Sequence, residues 1–310
     1  MQTAISALCN AALIALFAVA FGATFGRIHP TIDLIGQFTL PALIGAVVVA
    51  VFALLAQRYT SAIVAVAALL ANLLIAWPWL QNPTPAEANG PRLKVLLFNV
   101  YYYNGKLGEV ARLVREVDAD IVVLLEVIPE LRPQLDPIAD TFAHRLESWQ
   151  RRNEDALILS RFPLEDITAE LPPPGHRRPA SAARITIGER KLTLFAAHLS
   201  LPPLLEGRAR QMREMSEIAE TINGITGPRL LVGDFNASTW GAVITQARAF
   251  ADLVVLTGIG GTWPAFLPRD LGIPIDHMLA SRDLVFVSRT LIDMPGSDHR
   301  AVLAEIAFKN

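Results

Sequence analysis

Cysteine is almost absent from this 310-residue chain, because Cys9 is the only one. A single cysteine excludes an intrachain disulfide and a structural metal site built from several thiolates. Domains without cysteine occur in both reducing and oxidising compartments, so this scarcity gives no information on location. Cys9 also lies inside an apolar stretch, and we assign it no chemistry.

Charged side chains are nearly missing from the first 90 residues, where the only ones are Arg27, Asp33, Arg58 and Glu87. The same region contains three apolar segments, at about residues 4–25, 40–57 and 61–80. Each is near the roughly 20 residues that a helix needs to cross a bilayer. A cleaved signal peptide would need a cationic start, which the first six residues lack, and buried core helices are the other alternative. The sequence therefore predicts three transmembrane helices in residues 1–80.

Residues 91–310 carry no excess of positive charge. The whole sequence has 27 Lys and Arg and 29 Asp and Glu, and two of each lie in the first 90 residues, which leaves 25 against 27. Tight non-specific binding to duplex nucleic acid needs a surface that neutralises phosphates. The charge balance therefore argues against a protein of that class.

A linker is predicted at residues 81–91, where three prolines and a glycine interrupt any regular pattern. The domain that follows would cover residues 92–310. Three membrane helices would place the N-terminus and this domain on opposite sides of the bilayer. Arg27 and Arg58 flank the segments on the two sides and give no preferred orientation.

The stretch from Leu230 to Ser238 is the most informative part of the domain. Its apolar start predicts a buried strand, after which we expect Gly233 to let the backbone turn. Asp234 and Asn236 would then project to the same side. A carboxylate can bind a hard cation or accept a proton from water, and an amide can orient a nucleophile. The alternative is an Asx turn that caps the next helix, which needs only one of the two side chains.

Polar side chains also end several other predicted strands: Asn99, Glu126, His198, Asp276, Asp298 and His299. One such residue would indicate a solvated strand terminus, but this number in one domain indicates a shared site. Many strands with interspersed helices predict two packed sheets flanked by helices rather than a doubly wound parallel sheet. One amphipathic helix is predicted at residues 205–222, with polar positions at Arg208, Arg210, Gln211 and Arg213.

Six motifs, in this order along the chain, resemble those of the endonuclease/exonuclease/phosphatase (deoxyribonuclease-I-like) superfamily. They are Phe98-Asn99, Leu125-Glu126, Ala197-His198-Leu199-Ser200, Gly233-Asp234-Phe235-Asn236, Ile275-Asp276-His277 and Gly296-Ser297-Asp298-His299. The resemblance covers roughly residues 92–308. It implies a four-layer α/β/β/α sandwich and hydrolysis of a phosphoester with Mg²⁺, or alternatively Mn²⁺. The preceding apolar segments resemble a membrane-anchored bacterial branch, which implies an inner-membrane protein with an extracytoplasmic catalytic domain.

The resemblance also implies roles for individual residues. The metal would be held by Asn99, Glu126 and Asp298. The catalytic residues would be His198, Asp234, Asn236, Asp276 and His299. Among them, Asp234 and Asn236 would orient or activate water, His299 would act as a base or stabilise the phosphate while held by Asp276, and His198 would contact the scissile phosphate. Glu154 would be the supporting carboxylate beside His198, with the adjacent Asp155 as the alternative.

The substrate is less defined than the chemistry. The sequence favours a phosphodiesterase that acts on nucleic acid, with a phospholipid or a small phosphorylated metabolite as alternatives and a non-catalytic membrane scaffold as a second alternative. Tyr101, Tyr102 and Tyr103 could stack on a base, face a lipid headgroup or simply pack on the domain. Arg177 and Arg178 could meet a second phosphate or be solvated. The expected partners are the lipid bilayer and the phosphoester, and no protein partner is inferable.

Overall fold

Apolar helices form the N-terminal part of the chain. The computed structural model describes residues 2–81, 90–147, 155–168, 180–202 and 205–309. Four helices precede the first strand, namely α1 (Gln2–Phe25), α2 (Pro30–Gly36), α3 (Thr39–Leu55) and α4 (Tyr59–Leu80). Helices α1 and α4 are each long and apolar enough to cross a membrane. The pair α2 and α3, which meet at a bend of 56°, adds a third crossing if it forms one broken span.

Small residues let these helices approach one another closely. Ala46 of α3 and Ala65 and Ala68 of α4 are fully buried where α1, α3 and α4 pack together. Gly22 of α1 faces Gly36 of α2, and a Cβ atom on Gly36 would lie 2.4 Å from the backbone nitrogen of Ala23. Helix α2 therefore folds back against the C-terminal end of α1.

The described residues after α4 form two six-stranded sheets flanked by helices. The strands of the first sheet are β1 (Arg92–Asn99), β2 (Ile121–Leu125), β3 (His144–Glu147), β4 (Leu157–Ser160), β11 (Leu284–Asp293) and β12 (Arg300–Phe308). The strands of the second are β5 (Leu164–Asp166), β6 (Ala180–Ile187), β7 (Arg190–His198), β8 (Arg229–Asp234), β9 (Val254–Val255) and β10 (Asp276–Ala280). Their orders are β11-β12-β1-β2-β4-β3 and β5-β6-β7-β8-β10-β9. The pairs β1–β2 and β7–β8 are parallel, and the other pairs are antiparallel.

Alternating side chains explain why the sheets stack in layers. Leu93, Val95 and Leu97 of β1 point into the core between the two sheets, while Leu96 and Phe98 point outwards. The outward face of the first sheet packs against α5 (Leu107–Val117) and α6 (Arg132–Ala139). The outward face of the second sheet packs against α7 (Leu205–Asn223) and α8 (Ala242–Ala251). The predicted four-layer α/β/β/α sandwich is confirmed.

Two local predictions were wrong. Gly233 does not turn the chain, because it lies inside β8. Its lack of a side chain instead allows the backbone of the neighbouring strand to approach closely. A Cβ atom there would lie 1.9 Å from the carbonyl oxygen of Ala197 in the neighbouring strand. On α7, Arg208 and Gln211 are fully buried rather than solvated, because they face the N-terminal helices and the loop after β8.

Candidate active site

The strand register gathers the predicted site residues at one end of the two sheets. Asn99 ends β1, and Glu126 follows the parallel neighbour β2. In the second sheet, Asp234 at the end of β8 pairs with His198 of β7 on one side and with Asp276 of β10 on the other. A loop after β11 then brings in His299 just before β12. Of these residues, Glu126, Asp234 and His299 line one cavity of about 560 Å³.

Asp234 lies at the centre of this arrangement and is 1 % exposed. Its Oδ1 accepts a hydrogen bond from the backbone nitrogen of Asn236 at 2.9 Å, so the Asx turn does form. Its Oδ2 accepts from Asn99 Nδ2 at 3.0 Å and lies 3.8 Å and 3.7 Å from Nε2 of His198 and His299. One oxygen therefore fixes the loop while the other faces the site. Burial, followed by the charge of Asp276, raises the pKa of Asp234 to about 6, although the charges of His299 and His198 oppose the rise.

Each histidine is held by its own carboxylate. The Nδ1 atom of His299 lies 2.9 Å from Asp276 Oδ2, and Nδ1 of His198 lies 2.8 Å from Asp155 Oδ2. Burial lowers the pKa of His299, but the charges of Asp276 and Asp234 outweigh it and raise the pKa to about 10. Burial also lowers the pKa of His198, but its hydrogen bond with Asp155 and the surrounding charges raise the pKa to about 9. The carboxylates thus favour the cationic form of both imidazoles. Each Nε2 lies within 3.8 Å of Asp234 Oδ2, and Nε2 of His198 also lies 3.8 Å from Glu126 Oε1.

The carboxylate beside His198 is Asp155, which the sequence offered as the alternative to Glu154. Glu154 itself lies outside the described residues. Asp155 also accepts a hydrogen bond from the hydroxyl group of Tyr102. It comes just before β4, and its backbone oxygen accepts from Val127, so its position is tied to the loop that carries Glu126. The loop after β2 and the start of β4 therefore support His198 together.

Replacing Asp155 with asparagine is expected to lower the rate of the reaction at this site by about 10- to 100-fold. The amide cannot stabilise the imidazolium, so the pKa of His198 falls from about 9. The alkaline limb of the pH–rate profile should then move to lower pH, because His198 loses its proton earlier. Measuring kcat/KM from pH 6 to pH 10 checks both effects. Asp252→Asn, at an exposed aspartate that pairs with Arg282, is the matched control, and an unchanged alkaline limb in Asp155→Asn would contradict the pairing.

Glu126 is aimed at the cavity by an unusual backbone conformation. Its φ is +60°, in the left-handed region, and Tyr101 and Asn236 share this feature with φ of +69° and +48°. Such residues cost of order 1–3 kcal/mol each unless the surroundings compensate. Here hydrogen bonds compensate, since Glu126 accepts from Asn99 Nδ2 at 2.8 Å and from the backbone nitrogen of Tyr102 at 3.0 Å.

The donor set fits a divalent cation. Glu126, Asp155, Asp234 and Asp276 bring four carboxylates together around His198 and His299. Two groups of side chains have ligand atoms within 4.8 Å of one another: Glu126, His198 and Asp234, and Asp234, Asp276 and His299. A protonated imidazole cannot ligate a metal, and Mg²⁺ prefers oxygen. The carboxylate of Glu126, which Asn99 holds in place, is therefore the best ligand, while Oδ2 of Asp234 faces the two imidazoles.

Three other residues singled out in the sequence lie near Asp234, and each makes its own contacts. Asp298 lines the cavity, accepts from Trp263 Nε1 at 3.0 Å, and has Oδ1 at 4.0 Å from His299 Nε2. The side chain of Asn236 also lines the cavity and is fixed by donating to Leu199 O at 3.1 Å. His277 packs in the interior and contacts Ala237 O at 2.7 Å, and burial lowers its pKa to about 4.

Of the three tyrosines considered for substrate binding, two lie at the cavity. Tyr101 and Tyr102 line the cavity, whereas Tyr103 is 84 % exposed and lies outside its lining. Arg177 and Arg178 lie outside the described residues.

A buried polar network joins the site to α2, and sequence reasoning missed it. Arg208 of α7 forms an ion pair with Asp33 of α2 at 2.6 Å and donates to Gln211. Gln211 in turn donates to the backbone oxygens of Phe235 and Asn236 at 3.2 Å. The loop that follows Asp234 is thereby fastened to the N-terminal helices.

Further contacts complete this attachment. Asp33 Oδ1 accepts from the backbone nitrogen of Ala242 at 2.7 Å, and Trp240 Nε1 donates to Gly36 O at 2.7 Å. Gln37 accepts from the backbone nitrogen of Ser238. The only signal in the sequence was an isolated aspartate in an otherwise apolar region, which in a membrane segment is expected to have a partner.

Comparison with known proteins identifies relatives of the domain. The model of the Endonuclease/Exonuclease/phosphatase family matches residues 96–299. No curated protein sequence matches the chain. Among solved structures, an endonuclease/exonuclease/phosphatase from Bacteroides vulgatus is similar with a TM-score of 0.58 and 15% identity, covering 71% of this chain and 100% of that one.

Two further structures have the same fold with other descriptions. TDP2 from D. rerio, complexed with a single-strand DNA product, has a TM-score of 0.54 and 16% identity over 69% of this chain and 98% of its own. Beta toxin from Staphylococcus aureus has a TM-score of 0.53 and 14% identity over 70% and 100%. At these identities the structures show a shared fold, while the family model shows membership.

Proposed function

Because the chain belongs to the endonuclease/exonuclease/phosphatase family of metal-dependent phosphoester hydrolases, we propose that it is a membrane-anchored, Mg²⁺-dependent phosphodiesterase. The observation that carries this proposal is the pair of carboxylate-held histidines whose Nε2 atoms both face Asp234 Oδ2, at 3.8 Å and 3.7 Å. A non-catalytic scaffold has no need of such a pair. The N-terminal helices serve as the anchor, and the catalytic domain lies on the side of the membrane opposite the N-terminus, which we expect to be extracytoplasmic.

The side chains divide the work of hydrolysis. His198 and His299 donate from Nε2 to non-bridging oxygens of the bound phosphate, where negative charge increases in the transition state. Asp234, with its pKa of about 6, is ionised at neutral pH and accepts a proton from the attacking water, which Asn236 orients. Asp276 and Asp155 keep the imidazoles protonated and aligned.

A divalent cation held by Glu126 would neutralise charge on the phosphoryl oxygens. Asn99 donates to the carboxylates of both Glu126 and Asp234, and Asp298 borders the same cavity. Mn²⁺ satisfies the same oxygen donors and is expected to substitute for Mg²⁺.

Removal of the metal tests the proposal. With the full chain in detergent and bis-p-nitrophenyl phosphate as substrate, EDTA is expected to lower the rate by about 10²-fold or more, since the metal contributes several kcal/mol of charge stabilisation. Added Mg²⁺ should restore it. Glu126→Gln should raise the Mg²⁺ concentration needed for half-maximal rate by about tenfold or more, because a ligand charge is lost. Full activity in EDTA, or no hydrolysis with any divalent cation, would refute the proposed function.

Nucleic acid is the substrate that the sequence favours for this phosphodiesterase. It is favoured by the likeness to D. rerio TDP2, which was captured with a single-strand DNA product. The metal-removal experiment applies equally to single-stranded DNA as substrate. Hydrolysis of DNA at a higher kcat/KM than any lipid or small phosphodiester would select this candidate.

A further inference from the structure

The cavity above Asp234 has a polar floor and an apolar wall. The floor consists of the site side chains, among them Glu126, Asp234 and His299. The wall includes Leu34 and Phe38, which belong to the N-terminal helices rather than to the catalytic domain, and Leu201 from the loop after β7. We call residues 34–38 the elbow, because they join the end of α2 to the start of α3. A site for a small, fully polar phosphoester would not need such a wall.

The elbow holds a fixed position relative to the catalytic carboxylate. Asp33 and Gly36 of α2 are bound to Arg208 and Trp240 of the domain, as described above, and Gln37 accepts from Ser238. These contacts hold the apolar side chains of the elbow next to the site, so the fold sets their distance from Asp234.

The elbow also lies at the end of the apolar helices that is next to the catalytic domain. Helix α3 starts at Thr39, immediately after Phe38, and runs as an apolar helix to Leu55. The adjacent end of α1 packs against α2, and the end of α4 contacts the domain, since Trp79 O accepts from the backbone nitrogen of Gly258. In a bilayer crossed by these helices, the elbow would meet the interface, and the cavity would open beside it.

Exposure at the cavity mouth agrees with this placement. Phe38 is 52 % exposed and Leu201 is 65 % exposed, although both line the cavity. Large apolar side chains at the rim of a site cost little when they contact hydrocarbon and are unfavourable in water. Their position next to the catalytic floor suits a ligand that has a phosphate at one end and hydrocarbon close to it.

Charge at the cavity argues against a polyanionic ligand. Among the described residues that line it, none is Lys or Arg, and Glu126, Asp234 and Asp298 are acidic. Proteins that track a single strand use a positively charged groove along several phosphates. Of the described residues that line this cavity, His299 alone supplies positive charge, and His198 and the proposed metal lie next to it, which is enough for one phosphate group.

We infer that the elbow forms an apolar subsite beside the catalytic floor, so that the substrate is a lipid phosphodiester drawn from the bilayer that anchors the chain. This inference rests on the proposed function. Hydrolysis joins the oxygen of water to phosphorus and breaks one ester P–O bond. One proton of the water ends on the departing alcohol, and the products are an alcohol and a phosphate monoester. The hydrocarbon nearest the phosphate lies against Leu34, Phe38 and Leu201.

The test uses the full chain reconstituted in vesicles of phosphatidylethanolamine, phosphatidylglycerol and phosphatidylcholine. Turnover of these lipids is compared with that of their deacylated glycerophosphodiesters, of single-stranded DNA and of bis-p-nitrophenyl phosphate, by mass spectrometry of the products. Lipid turnover is expected to exceed that of the deacylated compounds by about tenfold or more, because loss of apolar contacts in a pocket has effects of this size.

Variants then locate the subsite. Phe38→Ser and Leu201→Ser are each expected to lower the ratio of lipid turnover to bis-p-nitrophenyl phosphate turnover by about tenfold. Phe250→Ser is the matched control, since Phe250 is 60 % exposed but does not line the cavity, and it should leave both rates unchanged.

The remaining outcomes separate this inference from the proposed function. Hydrolysis of bis-p-nitrophenyl phosphate with no lipid turnover, or equal turnover of lipids and deacylated compounds, would overturn the lipid subsite and leave the hydrolase. Preferred cleavage of DNA that is unaffected by Phe38→Ser would overturn it in favour of nucleic acid. No hydrolysis of any compound would overturn both.

Discussion

Asp234→Asn is expected to lower kcat on bis-p-nitrophenyl phosphate by about 10⁴-fold while the chain keeps its fold. The amide is nearly isosteric, and its oxygen can still accept from the backbone nitrogen of Asn236. It cannot accept a proton from water, and it removes the negative charge that faces His198 and His299. Because the proton acceptor and the alignment of the two cationic donors are lost together, the expected loss exceeds that of Asp155→Asn.

A second consequence of this substitution can be measured independently of rate. The charge of Asp234 helps to raise the pKa values of His198 and His299 to about 9 and 10, so both should fall in the variant. NMR titration of the two imidazoles reports this directly. Asp140→Asn, at a side chain that is 74 % exposed, is the matched control. A loss of less than tenfold in kcat, or unchanged histidine titrations, would remove Asp234 from the centre of the site.

Much of the catalytic domain could be predicted because its signals are local. The strands are short apolar runs. Site side chains lie at the ends of β1, β2, β7 and β8 and at the starts of β10 and β12, and strand pairing brings these to one end of the two sheets. The register that pairs His198, Asp234 and Asp276 in three neighbouring strands was not predicted and comes from the structure. The resemblance of the motifs added the layer order, which periodicity alone does not determine.

Other features could not be predicted because they depend on contacts between distant segments. Gly233 has the sequence signature of a turn, yet it is required by the oxygen of Ala197 in another strand. The choice between Glu154 and Asp155 depends on how the chain enters β4, which residue types do not reveal. Arg208 lies at a position that α-helical periodicity assigns to solvent, and only its buried partner Asp33 explains why it is inside.

Asp33→Ala is expected to destabilise the protein by about 3–5 kcal/mol, because it leaves the fully buried guanidinium of Arg208 without its partner. For a domain of this size, such a loss lowers Tm by roughly 10 °C. The same change removes the acceptor of the backbone nitrogen of Ala242 and loosens the loop that carries Asp234. Thermal unfolding of the full chain in detergent measures the first effect, and hydrogen exchange at residues 236–242 measures the second.

The pairing itself is tested by the double variant Asp33→Ala/Arg208→Met, which removes both charges. Because most of the cost of the single variant is an unpaired buried charge, the double variant should recover at least half of the lost Tm. Asp252→Ala breaks the exposed pair with Arg282 and should leave Tm unchanged, since water already solvates both groups. Equal Tm losses in the single and double variants would show that Asp33 acts through its hydrogen bond to Ala242 and not through Arg208. A loss no larger than that of Asp252→Ala would mean that α2 is not fastened to the catalytic loop by this network at all, and the elbow would then lose its fixed distance from Asp234.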